Sequence, residues 1–289
     1  MGNRTLLIGA SGRVGRMVLK ALRANETRGC AVSAQYKTAD SAMRDGDLIW
    51  NLSDGFGPLR AWMCKHGTPS CMTVLAGRTP ITGDALEVNV SIAGAYLRAA
   101  HDCGIPRVLL ASSSAVYGVG QGTPMREDHP CHPNSFYGAY KLMMEDVAAE
   151  YRAAGLEVCC LRIGNVVGAD ALPLGAHSGS AMGRLAIDCF DNGHGPQRSY
   201  MGPASLASTL SQLSTYPGRL PFVLNVAAPE PIHMDTLAEA AGLRWTAMPA
   251  AGYTPQRIVL DCTRLAGLVA VPSDAGSAAR LISEWRAYG

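Results

Sequence analysis

The chain has 289 residues, with 25 basic and 23 acidic side chains and a formal charge of +2. So near-neutral a balance, with no basic cluster, argues against nucleic acid or a membrane surface as a partner. Apolar residues make up 48% of the chain, enough for one generous α/β domain or for a nucleotide-binding domain with a smaller companion.

Thr5 to Ile8 is a short apolar run ending at a glycine, which reads as a buried strand. Val14, Met17, Val18, Ala21 and Leu22 then form one stripe of an amphipathic helix over Arg13 to Leu22. Strands follow at Ala31 to Tyr36, Leu48 to Leu52 and Met72 to Leu75, and a helix at Leu86 to His101. A strand at Val108 to Ala111 runs into a serine cluster, and a long helix at Tyr137 to Ala154 precedes a strand at Val158 to Ile163. This alternation requires crossover connections and predicts a Rossmann-type, doubly wound parallel sheet with ligands beyond the carboxyl ends of its strands.

After Ile163 the alternation fails. Gly164 to Pro203 is rich in Gly, His, Ser and Pro, with one short helical stretch near Met182 to Cys189. Pro221 to Val226 restores a strand, and Met234 to Ala241 and Ala275 to Arg286 read as helices. The expected division is a dinucleotide domain of residues 1–165 and 219–227, and a small discontinuous substrate lobe of residues 166–218 and 228–289.

The nine cysteines form no C-x-x-C pair, and several lie within strand-like runs, which predicts a reducing, cytoplasmic setting. There is no leader pattern and no apolar stretch near the ~18 residues that span a membrane. Cys64, His66 and Cys71 come nearest to a metal set, but a fourth ligand is missing, so no metal is expected.

Gly9-Ala10-Ser11-Gly12-Arg13-Val14-Gly15 directly follows the first strand and opens the first helix. In that context the first glycine permits a tight turn, the second lets a pyrophosphate approach, and the third lets helix and strand pack closely. The helix N-terminus adds free N–H groups for phosphate. Gly9, Ser11, Gly12, Arg13, Val14 and Gly15 are therefore candidate cofactor contacts. At the end of the second strand stand Gln35, Tyr36 and Lys37, with no carboxylate before Asp40 to take ribose hydroxyls. Tyr36 and Lys37 join the candidates; Lys37 and Arg13 could instead meet a 2′-phosphate. The cofactor is NAD or NADP, and these cations tip the balance slightly toward NADP.

Tyr137 and Lys141 stand four apart on a helix and share a face, in a chain with only four lysines. Ser112, Ser113 and Ser114 lie upstream at a strand's carboxyl end. A free tyrosine, with a pKa near ~10, is a poor base at neutral pH. A neighbouring ammonium and an oxidised nicotinamide stabilise phenolate. The tyrosine can then exchange a proton with a substrate hydroxyl while a serine holds the same oxygen. A nucleophilic serine is disfavoured, because no elbow and no paired histidine accompany it.

These residues resemble the extended short-chain dehydrogenases, the NAD-dependent epimerase/dehydratase family typified by UDP-galactose 4-epimerase. The resemblance rests on Gly9 to Gly15, Leu75-Ala76-Gly77, Asn89, Ser112 to Gly118, Tyr137 to Lys141, and Leu161 to Gly168, in family order. It implies Ser113 as the catalytic serine, with Ser114 beside the substrate, Tyr137 as acid/base, and Lys141 as the residue that also grips the nicotinamide ribose. It further implies Leu75, Ala76, Gly77, Ile163 and Val166 along the cofactor, and Asn165 and Arg198 at the substrate.

Two departures narrow the reading. Ser114-Ala115 replaces the Asp-Glu pair of the family's dehydratases, which disfavours elimination. Arg198-Ser199-Tyr200-Met201-Gly202-Pro203-Ala204-Ser205 lacks the polar groups of the usual segment, which weakens the case for a UDP-sugar. The resemblance implies hydride transfer at a secondary alcohol or ketone, by an epimerase or oxidoreductase acting on a small molecule, a sugar or sugar nucleotide among the candidates. A homodimer is expected. The alternative is a non-catalytic NAD(P)-binding redox sensor.

Overall fold

Residues 3–25, 30–80, 85–120, 122–169, 185–250 and 256–289 are described in the computed structural model. The first half alternates as the periodicity predicts: β1 (Asn3–Ile8), α1 (Arg13–Ala24), β2 (Cys30–Tyr36), β3 (Leu48–Ile49), α2 (Gly57–His66), β4 (Cys71–Val74), α3 (Val88–Asp102), β5 (Arg107–Ser113), α4 (Phe136–Ala153) and β6 (Glu157–Ile163). Short strands follow as β7 (Asn165–Val166), β8 (Leu185–Cys189), β9 (Gln197–Arg198) and β10 (Tyr200–Met201), then α5 (Pro203–Ser214) and β11 (Val223–Val226). The chain closes with β12 (Ile232–His233), α6 (Met234–Ala240), β13 (Trp245–Pro249), β14 (Arg257–Ile258), α7 (Thr263–Ala266) and α8 (Ala278–Tyr288).

Seven of these strands form one parallel sheet in the order β11-β6-β5-β4-β1-β2-β3. Its central strands are mostly apolar because both faces are covered. Leu6 and Ile8 of β1 pack with Trp50, Leu97, Met144 and Ala148, whereas Leu7 points the other way, toward Val18, Leu206 and Leu210. The same alternation separates Val108 and Leu110 from Leu109 in β5, and Val158 and Cys160 from Cys159 and Leu161 in β6. The strand order reverses between β1 and β4, and the crevice expected at such a switch point opens beside the turns that follow them.

The later segments form a satellite around a third core of Val167, Ile187, Tyr200, Ile232, Leu237 and Leu281. There β8 pairs with β13, and β9 lies between β12 and β14. The stretch from Val167 to Ser199 leaves and returns at one place. Asn165 N–H donates to the Ser199 carbonyl at 2.9 Å, and Val167 N–H donates to that of Met201 at 3.1 Å.

The structure corrects several sequence expectations. Leu185–Cys189, expected as part of a helix beginning at Met182, is a strand, and residues 182–184 lie outside the described set. The third strand covers only Leu48–Ile49, because Leu52 already opens a 3₁₀ turn capped by Asn51. Three helices have no counterpart in the sequence reading: α2, α5 and the four-residue α7. α2 buries only Leu59 and Trp62, too sparse a stripe to read. α5 starts with Pro203 at its first position and lays Leu206, Leu210 and Leu213 against the sheet next to α1.

Candidate active site

β1 hands over to α1 through a turn that only glycine permits. Gly9 has a left-handed φ of +82°, and a Cβ there would stand 2.6 Å from the Ala76 nitrogen. A Cβ on Gly15 would stand 2.0 Å from the Gly9 carbonyl oxygen, so α1 could not lie this close to β1. Gly12 caps α1 without a side chain, which leaves the helix N-terminus open to an anion. The turn is braced from β2: Gln35 accepts from Gly9 N–H at 3.3 Å and donates to the Trp50 carbonyl at 2.5 Å.

Beside this turn lies a cleft of about 530 Å³, lined among others by Ser11, Arg16, Tyr36, Asp40 and Arg44. Arg23 also lines it, but its guanidinium pairs with Asp47 at 2.5 Å. Burial pushes the Tyr36 phenol up, and nearby Arg23 pulls it down. The cations that were expected here lie elsewhere. Lys37 is exposed outside the cleft, and Arg13 reaches the Ala169 carbonyl at 3.2 Å.

The serine cluster is divided by its hydrogen bonds. Ser112 turns inward and donates to Glu145 at 2.5 Å. Glu145 is itself paired with the buried Arg162 at 2.8 Å, whose guanidinium lies 4.7 Å from the Tyr117 ring centre. All three serines line the main cleft, but only Ser112 has its hydroxyl bound to Glu145. Tyr137 is brought to them by Gly138, where a Cβ would stand 2.3 Å from the Ala115 carbonyl oxygen, and by Ser135, which caps α4. Burial pushes the Tyr137 phenol up, and its hydrogen bond with Ser113 pulls it down.

One turn further along α4, the buried Lys141 donates to the Ala111 carbonyl at 2.7 Å, and its nitrogen lies 5.9 Å from the Tyr137 ring centre. Burial lowers its pKa to about 8, against the upward pull of Cys160 and Glu145. The loop after β4 is pinned over this ammonium by Asn89. Its side chain accepts from Arg78 N–H at 2.7 Å and donates to the Arg78 carbonyl at 3.0 Å. Gly77 leaves room there: a Cβ would stand 2.7 Å from Asn89 Oδ1 and 3.7 Å from Lys141 Nζ.

The main cleft, of about 460 Å³, brings Val14, Leu75 and Gly77 together with Ser113, Ser114, Tyr137, Lys141, Ile163, Asn165, Val166 and Arg198. Ala76 instead packs in the core beneath it. The Arg198 guanidinium meets the carbonyls of Gln197 and Gln256 at 3.0 and 3.2 Å and the Gln256 side chain. Burial lowers its pKa, and among the described residues no carboxylate pairs with it. Sequence reasoning missed Arg78, Thr79, Pro80 and Ile258, which also line the cleft. Ile258 carries no sequence signal, since it arrives through the pairing of β14 with β9. Among the described residues, Cys64, His66 and Cys71 form no metal-type cluster.

The cleft thus joins an anion-ready helix end to a hydroxyl pair and an ammonium. No helix among the described residues is long and apolar enough to cross a membrane. In sequence, the chain is 45% identical over 83 residues to a UDP-glucose 4-epimerase of Azospirillum brasilense, a match covering 28% of this chain and 23% of that protein. The matched stretches span between 20% and 37% of the curated relatives' lengths. In fold, it resembles UDP-glucose-4-epimerase from Stenotrophomonas maltophila, solved with bound NAD and formylated UDP-arabinopyranose. The TM-score is 0.78 at 19% identity, over 99% of this chain and 98% of that one. The complex of Thermus thermophilus UDP-glucose 4-epimerase with NAD gives a TM-score of 0.72 at 22% identity, over 98% and 99% of the two chains. The model of the NAD dependent epimerase/dehydratase family matches residues 5–202, more than half of the chain, and the chain belongs to that family.

Proposed function

We propose that this protein catalyses reversible hydride transfer at a secondary alcohol or ketone, as an epimerase or an oxidoreductase, with Ser113, Tyr137 and Lys141 as its catalytic residues. The observation that carries the reading is that Ser113, Tyr137 and the buried Lys141, its nitrogen 5.9 Å from the Tyr137 ring centre, share one cleft with Val14 of the glycine turn.

The cradle fits a dinucleotide: the backbone at Gly9 and Gly15 leaves no room for a side chain, and α1 ends in uncapped N–H groups. A bound dinucleotide would supply the hydride acceptor and donor. Gly9 to Gly15 would hold its pyrophosphate, and Leu75, Gly77, Ile163 and Val166 would line its path. Tyr137 takes the proton of the substrate hydroxyl and returns it to the ketone oxygen. Ser113 hydrogen-bonds that same oxygen and fixes its distance to the phenol. Lys141 is the positive charge against which phenolate forms, held in place by the Ala111 carbonyl. A regulator without chemistry would not need this set, and nothing in the cleft favours one.

Arg16 and Arg44 line the cleft beside Ser11 and suit a 2′-phosphate, whereas Asp40 in the same lining suits ribose hydroxyls; the two cations tip the reading slightly to NADP. Arg198, without a carboxylate partner among the described residues, supports a substrate that carries an anion, a sugar nucleotide being the leading class, with Asn165 and Ser114 beside it. Phe136 and Met143 are exposed two helical turns apart on α4, which supports a homodimer through that face. Cys71, Cys159 and Cys160 are buried within β4 and β6, a placement that supports a reducing, cytoplasmic setting.

The test is Tyr137→Phe, assayed with both nicotinamide cofactors against a panel of sugar nucleotides and small carbonyl compounds. We expect turnover to fall by about 10²–10⁴-fold while cofactor affinity is unchanged. Near-normal turnover would remove Tyr137 from the chemistry.

A further inference from the structure

Away from the cleft, one group of side chains has a donor set of its own. His194 lies in the turn between β8 and β9, His233 ends β12, and Asp235 stands in the first turn of α6; their ligand atoms all lie within 4.8 Å of one another. His194 Nδ1 and Asp235 Oδ2 are 3.2 Å apart. Two ligands on a tetrahedral ion with bonds of about 2.0–2.2 Å stand about 3.3–3.6 Å from each other, so this pair is within a few tenths of an ångström of a chelate edge.

The other contacts orient the same atoms. His233 Nδ1 lies 2.9 Å from the Gly195 carbonyl and must donate to it, which leaves Nε2 with a free lone pair. Ligating histidines are held by just such a second hydrogen bond. The buried Asp235 is fixed from behind by Gly195 N–H, which donates to its Oδ1 at 2.9 Å, so Oδ2 is the oxygen turned to the histidines. The two rings lie 4.8 Å apart, tilted by 32°.

We propose that His194, His233 and Asp235 bind a divalent transition metal ion of borderline softness, with zinc the first choice. Two imidazoles and one carboxylate suit zinc, cobalt, nickel or copper rather than magnesium or calcium, which take oxygen ligands. The His194 side chain is 53% exposed, so a fourth position opens to water and the ion has an entry path. Metal replaces the proton that His194 shares with Asp235, and binding weakens as pH falls. No residue of the main cleft is among the ligands. The effect is to tie the turn before β9 to β12 and α6, where His233 pairs with Gln197, the neighbour of Arg198. The site is thus a clamp on the satellite core, and it stands whether or not the proposed chemistry does.

The test is a cobalt(II) titration of the full, chelator-stripped protein, read by visible absorption, with thermal unfolding in zinc or magnesium alongside. We expect one equivalent per chain with a tetrahedral spectrum. Zinc at a hundredfold excess over Kd should raise Tm by about 5 °C, and magnesium should leave it unchanged. His233→Ala keeps the His194–Asp235–Gly195 clip and should weaken cobalt binding by at least about tenfold. Cys64→Ser removes an exposed thiol that could bind cobalt by itself, and should change nothing. Absence of stoichiometric binding, or binding that survives His233→Ala and disappears in Cys64→Ser, would overturn the site.

Discussion

Lys141 is buried on all sides, and its charge is expensive where it sits. Its pKa of about 8 lies below the unfolded value near ~10.4, so the folded state gives up the proton first. Between those values the unfolded chain binds more protons, and by linkage this group's contribution to stability rises with pH; below about 8 its cost is fully present. Urea unfolding from pH 7.5 to 10 should therefore show wild-type stability gaining on that of Lys141→Met across the window. Parallel curves would mean that Lys141 titrates normally. Gly15→Ala drives a methyl group into the Gly9 carbonyl, and we expect cofactor affinity, followed by nucleotide fluorescence, to fall by at least about tenfold.

Residues of this kind were legible in sequence because their chemistry is local: three glycines at fixed spacing, and a tyrosine and a lysine one helical turn apart. The roles of the three serines were less so. All three line the cleft, and only the fold shows that the Ser112 hydroxyl is bound to Glu145. The cations near the glycine turn were not legible either, since only the course of α1 shows that Arg13 reaches the Ala169 carbonyl and that Arg16 lines the cleft beside Ser11.

Among the elements, α4 carries two duties on one face. Tyr137 and Lys141 face the cleft, and one turn on, Glu145 binds Ser112 and Arg162, joining the carboxyl ends of β5 and β6. Breaking this pair leaves a buried guanidinium without its counter-charge. Glu145→Leu should cost about 3–5 kcal/mol in denaturant unfolding, whereas joint replacement of Glu145 and Arg162 by apolar residues should recover much of it. A loss below ~1 kcal/mol would mean that water reaches Arg162. α1, α3 and α4 were predicted to within a few residues because each buries a stripe of regular period. α2, α5 and α7 were not legible: α2 lacks such a stripe, α5 follows a long irregular stretch and still packs beneath the sheet, and α7 is four residues long and buries only Leu265.

For the whole molecule, an α4 face bearing Phe136 and Met143 predicts a particle of twice the 30.4 kDa chain mass in sedimentation, and Met143→Glu should shift it toward the single chain. The parallel sheet could be read from sequence because its apolar strands alternate with the regular stripes of α1, α3 and α4. The satellite could not: its strands are two to five residues long and pair across distances of up to 60 residues, as β8 does with β13. The histidine–aspartate group was hidden for the same reason, with His194 some 40 residues from its partners.

The meeting of Asn165 with Ser199 and of Val167 with Met201 has an evolutionary consequence. A segment whose two ends already touch can lengthen or shorten at a cost that grows only with the logarithm of its length. Insertions and deletions between these ends need not disturb the strand that precedes them or the helix that follows. The glycine turn between β1 and α1 lies outside the span bracketed by these two hydrogen bonds, so a change of length within the bracket leaves that turn in place.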